Sequence, residues 1–134
     1  MATEVLVNDG GAPARILPFT AGAAITGGRL VEIQSDGKCN PATSGSTGVL
    51  GVAFTDAGSA DGEPMSIITG KGVILNVAVS GTFNVGQEMT CDDDDTGFMV
   101  SGTQSATNAL YGVALESGSS ITAASNTLQK VLMF

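Results

Sequence analysis

Two stretches of this chain repeat one another. Leu50-Gly51-Val52-Ala53-Phe54 returns as Tyr111-Gly112-Val113-Ala114-Leu115. Ile25-Thr26-Gly27-Gly28-Arg29-Leu30-Val31 stands ahead of the first copy, and Phe83-Asn84-Val85-Gly86-Gln87-Glu88-Met89 ahead of the second. The offset is 58 residues from Gly28 to Gly86 and 61 from Gly51 to Gly112. In a chain with 19 glycines among 134 residues, one Gly-Val-Ala match would carry no weight. Two matches at nearly one offset define a two-fold internal repeat. Two copies are too few for a solenoid, which needs at least about three. The pattern therefore predicts one closed β-structure of two similar halves, residues 15–79 and 80–134.

A chain of this length is one domain with room for a sizeable core. Frequent glycine disfavours long helices, and a charged fraction of 13% disfavours disorder. The net charge is −8, with only Arg15, Arg29, Lys38, Lys71 and Lys130 positive. Five scattered cations neutralise few phosphates, so nucleic acid is excluded as a partner. No apolar run approaches the roughly 20 residues of a membrane span, which excludes a membrane partner of that kind. The opening Met1-Ala2-Thr3-Glu4-Val5 lacks the basic and apolar regions of a signal peptide. Cys39 and Cys91 are therefore expected as reduced thiols, in corresponding arms of the two halves.

Short strands account for most of the chain. Residues 73–79 alternate most clearly, with Val73, Leu75, Val77 and Val79 on one face. Residues 49–54 form a nearly continuous apolar run, the pattern of a strand buried on both sides. Pro18 inside residues 15–20 points to an edge position or a bend. Further strands are expected near residues 30–33, 65–69, 86–91, 98–100, 110–115 and 128–133. Turn signals recur every 8–12 residues, as in all-β sandwiches and barrels. Helix is confined to a turn near residues 121–125. Residues 1–14 read as a flexible arm, because Asn8-Asp9-Gly10-Gly11 breaks any regular element and residues 5–7 are too short to bury themselves.

The side chains that usually perform catalysis are missing. With no His in the chain, Ser-His-Asp and Cys-His arrangements and the commonest metal ligand are all unavailable. No motif sets a Ser beside Lys38, Lys71 or Lys130 in a useful context. Gly70-Lys71-Gly72 lacks the spacing of a phosphate-binding loop. Asp92-Asp93-Asp94-Asp95 before Gly97 could suggest calcium, but the spacing is not that of an EF-hand, and a solvated hairpin tip explains it better. Glu32 and Glu88 could imitate a glycosidase pair, yet they take what read as equivalent outward positions in the two halves. The reading is no enzyme, no catalytic residue, no metal and no cofactor.

The order of these motifs resembles the small decoration, or cement, proteins of tailed-bacteriophage heads. The resemblance runs over residues 15–134. It covers residues 24–31, the Val49-Leu50-Gly51-Val52-Ala53-Phe54-Thr55-Asp56 run, Gly70-Lys71-Gly72-Val73, residues 83–87, residues 110–116 and the closing Lys130-Val131-Leu132-Met133-Phe134. The family implies a compact β-barrel or β-tulip-like domain without catalysis or cofactor. It implies attachment to the outer capsid surface of the virion after assembly in the host cytoplasm. Its expected partners are the major capsid protein, whose neighbouring subunits it clamps, and itself as a homotrimer. Serine- and threonine-rich stretches at residues 40–47 and 102–107 depart from a minimal member.

Within that reading, Thr3, Glu4, Val5, Leu6 and Val7 are the expected capsid-binding residues, adding as a strand to an exposed sheet edge. Val131, Leu132, Met133 and Phe134 are the expected oligomer contacts. An acidic chain with few aromatics suits a protein soluble at high copy number. The rival reading is a carbohydrate-binding or adhesin-type β-module. It is opposed by the absence of Trp and by only one Tyr and five Phe.

Overall fold

The computed structural model describes residues 5–8, 14–43, 48–57, 61–92, 96–102 and 109–134. The strands, in chain order, are β1 (Leu6–Asn8), β2 (Arg15–Thr20), β3 (Leu30–Ile33), β4 (Cys39–Pro41), β5 (Val49–Ala53), β6 (Pro64–Thr69) and β7 (Ile74–Ala78). They continue as β8 (Gly81–Phe83), β9 (Glu88–Cys91), β10 (Met99–Ser101), β11 (Leu110–Ala114), β12 (Gly118–Ile121) and β13 (Leu128–Met133). Among the described residues the only helix is a 3-10 turn at Ala123–Ser125, where a helical turn was expected. The fold is all-β. It is built of open sheets, five-stranded in the order β2-β6-β5-β3-β4 and six-stranded in the order β1-β7-β13-β11-β9-β10, with a separate β8–β12 pair.

The two large sheets share one topology. Dropping β1, each strand of the first has a counterpart in the second: β2 with β7, β3 with β9, β4 with β10, β5 with β11, β6 with β13. Backbone hydrogen bonds repeat with it. The Gly28 N–H donates to the Ala53 carbonyl at 2.9 Å, and the Gly86 N–H to Ala114 at 2.8 Å. Both glycines have positive φ, +92° and +88°, which sets the turn ahead of the strand. The register slips once between β3 and β5, skipping Leu50, and once between β9 and β11, skipping Tyr111. At the next residue the repeated glycine admits the adjoining strand. A Cβ on Gly51 would collide with the Ile68 carbonyl, and one on Gly112 would lie 2.6 Å from that of Leu132. The Gly-Val-Ala repeat is thus a packing requirement met twice.

Sheet pairing redraws three sequence expectations. The strand at residues 74–78 opens the second sheet, so the halves meet between β6 and β7 and not after residue 79. Alternation locates a strand but does not say which sheet it joins. Glu32 and Glu88 are not equivalents: Glu88 faces Val113 as Leu30 faces Val52, whereas Glu32 pairs with Val49 as Thr90 does with Leu110. Cys39 and Cys91 lie on opposite arms of their hairpins, with Cys39 facing Ile33 and Met99 facing Cys91. Both cysteines are buried, and neither is in a disulfide.

The core explains the apolar run at β5. Leu30, Val52 and Ile68 cluster with Leu75, Val77, Met89 and Val131 of the other sheet. Val31, Ala53 and Ile67, their chain neighbours on the opposite face, pack with Ala21, Ile25 and Met65. The five-stranded sheet is therefore buried on both faces at β3 and β6, where Leu30, Val31, Ile67 and Ile68 are fully enclosed. Each such side chain contributes about 1.5–3 kcal/mol relative to exposure.

Candidate functional site

The N-terminal strand lies on the molecule's own sheet. Leu6 pairs with Leu75 and Asn8 with Ile74, and the Asn76 N–H donates to the Val5 carbonyl at 2.7 Å. Val5 is buried in the main core. This differs from the expectation that residues 5–7 are too short to bury themselves. The cause is β7, an apolar strand with an unfilled edge that supplies both backbone partners and a covered slot. Thr3 and Glu4 lie outside the described residues.

At the other terminus the four expected contact residues split by strand alternation. Val131 and Met133 point into the domain's own core, Leu132 is half-buried, and Phe134 is 53% exposed. Phe134 is held in place through its N–H, which donates to the Tyr111 carbonyl at 3.0 Å. Beside it is a cavity of about 100 Å³ at the seam between the sheets. Leu50 and Tyr111, the residues skipped in the β3–β5 and β9–β11 registers, both line it, together with Ile68, Met133 and Phe134. The sequence held a signal for it, an apolar residue before both repeated glycines, but the meaning emerges only when the sheets face each other. Burial pushes the Tyr111 hydroxyl above its usual pKa, helped by the nearby Cys91 and Glu32 charges.

The remaining candidates serve the fold. Asp92 accepts a hydrogen bond from the Ser80 hydroxyl, and its N–H donates to the Phe98 carbonyl at 2.9 Å. Residues 93–95 of the acidic run lie outside the described residues. No group of three or more metal-ligating side chains occurs among the described residues. Lys38 contacts Asp61 at 2.7 Å, a pairing that holds its ammonium above the usual range, and Lys130 contacts Glu116 at 3.0 Å. Burial pushes the Cys39 thiol up, away from the reactive thiolate. Phe134 is the one exposed aromatic among the described residues.

Comparison with known proteins places this geometry. Residues 11–129 match the family model of phage cement proteins. No curated protein matches the chain in sequence. Among solved structures, the crystal structure of the N-terminal base of head fiber gp8.5 of bacteriophage phi29 superposes with a TM-score of 0.66 at 17% identity. The superposition covers 91% of this chain and 95% of that one. At that identity the likeness is one of fold.

Proposed function

The chain belongs to the phage cement protein family, and on that premise we propose that it binds the outer face of the mature head and clamps neighbouring major capsid protein subunits. Membership over residues 11–129 is the observation that carries this reading. A protein that binds the expanded shell but not its precursor stabilises it by mass action, and no chemistry is required. The family's structural character and the absence of His from the chain accord with a non-enzymatic role.

Attachment runs through residues 3–7, on an arm spanning residues 1–14 ahead of the domain at 15–134. In the free protein residues 5–8 rest on β7, so strand addition to a capsid subunit competes with an existing partner. A three-residue strand is a weak competitor, and several arms acting together gain avidity through effective concentration. A homotrimer supplies that multiplicity, with Leu132 and Phe134 as the outward-facing residues of the C-terminal strand. Assembly onto the head takes place in the host cytoplasm.

Mixing the protein with undecorated expanded capsids, followed by imaging, tests the proposal. The expected result is ordered density on the outer surface and resistance of the shell to mild denaturant. A chain lacking residues 2–8 should fold and bind at least tenfold more weakly. Equal decoration by the truncated chain removes the arm from the mechanism, and bare shells with the full chain remove the function.

A further inference from the structure

Val85 is the most exposed of the large apolar residues described, at 63%. It sits in the turn between β8 and β9, and the fold does not require it. The equivalent turn of the first half carries Gly27 at that place, and Gly28 and Gly86 make the same following hydrogen bond. Three positions on stands Glu88, exposed and without an ion pair among the described residues. The turn is thus an aliphatic knob beside a free carboxylate.

The cavity at the sheet seam has the complementary character. Thr69 and Gly70 are among the residues that line it. Arg15 pairs with Thr69 across the β2–β6 ladder, and Lys71 follows Gly70 in the chain. Both are exposed cations without an ion pair among the described residues, in a protein of net charge −8. At about 100 Å³ the cavity is smaller than the roughly 150 Å³ that houses a benzene ring, which fits a branched aliphatic side chain better than an aromatic one. Knob and cavity lie toward opposite ends of β11: the Gly86 N–H meets Ala114, and the Phe134 N–H meets Tyr111. One molecule cannot bring them together, but two can.

We infer that copies of this chain dock head to tail. Val85 of one enters the seam cavity of the next, and Glu88 meets Arg15 and Lys71. A contact between two different patches closes into a ring when its rotation permits, which is what a trimer on a three-fold site requires. The inference rests on the reading that copies meet on the shell, and it names the surface they use. Charge pairs at the rim would set register and encounter rate, and the buried aliphatic side chain would set lifetime.

Charge exchange tests it. Glu88→Lys and Lys71→Glu should each weaken self-association at least fivefold in sedimentation or native mass spectrometry, and the double variant should recover it. Val85→Asp, at an exposed turn where folding is not at stake, should weaken it at least tenfold. On decorated shells, a mixture of Val85→Cys and Lys71→Cys chains should give mixed cross-links on oxidation, and Val85→Cys alone should give none. Unchanged association of Val85→Asp, no recovery in the double variant, or Val85→Cys self-cross-links would overturn the proposal. Shells decorated by isolated monomers would also overturn it while leaving capsid binding intact. Self-association without any decoration would sink the capsid reading and leave this interface standing.

Discussion

Strands β2 and β7 hold the same place in two sheets of like topology, and their surroundings differ. Leu17 on β2 is 38% exposed, whereas Leu75, its counterpart opposite β13, is 1% exposed. Ile16 is 50% exposed, whereas Ile74 is half-buried. Leu75 packs in the main core with Leu30, Val131 and Val5, whereas Leu17 stands opposite Ile67, on the face away from that core; in addition, β1 fills the outer edge of β7, and no described strand fills that of β2. Local chemistry agrees with this outcome. Asn76 offers its N–H to Val5, and the equivalent residue of β2 is Pro18, which has none. A proline on an unpaired edge discourages further strand addition, so one half is extended by the chain itself and the other is closed to extension. A repeat can keep its scaffold while its edges diverge.

The sharpest way to break this comparison is to truncate the paired leucines. Leu75→Ala should cost about 2–5 kcal/mol, as a core cavity does. Leu17→Ala should cost under about 1 kcal/mol. Chemical denaturation of the two variants decides it, and equal losses would mean that β2 is covered in solution.

The repeated glycines probe what the halves share. Gly51→Ala and Gly112→Ala should each destabilise by roughly 1–3 kcal/mol, because each new methyl meets the backbone of the adjoining strand. A loss in one variant only, measured by thermal unfolding, would show that the second sheet relaxes where the first does not.

Val5→Ala should cost about 1–2 kcal/mol through lost core contact. It should also speed amide exchange at Asn76. Exchange at Asn76 as fast as at an exposed turn in the parent chain would show that β1 leaves β7 on its own.

A last, smaller effect concerns pH. Burial raises the folded-state pKa of Cys39, and of Tyr111 together with neighbouring charge. A group raised in the folded state adds stability below its unfolded pKa and loses it as pH climbs. Stability should therefore be level through neutral pH and decline in the alkaline range where thiols and phenols ionise. A rise in melting temperature over that range would contradict the burial of both groups.

The strands themselves were legible because hydrophobic alternation and turn residues act over a few neighbours. Residues 73–79 announced a strand, found at Ile74–Ala78, Pro18 announced an edge, and the run at 49–54 a strand buried on both faces. The cement family could be named from the order of short motifs alone. The seam cavity was not legible, since Leu50 and Tyr111 stand 61 positions apart and meet only when two sheets pack. Nor was the burial of Val5, which depends on an open slot beside β7, far along the chain.

The sequence by itself determined the all-β class, the two-fold repeat and the poverty of catalytic groups. Each follows from composition, period or spacing, which are properties of neighbours in the chain. The tertiary structure alone decided which sheet received β7, which edge took the N-terminal strand, and which C-terminal residues stayed outside. Those outcomes turn on long-range strand pairing, where a register shift of one residue reverses every side chain. Whether an apolar residue is core or contact surface is a property of what packs over it, and that partner lies elsewhere in the chain.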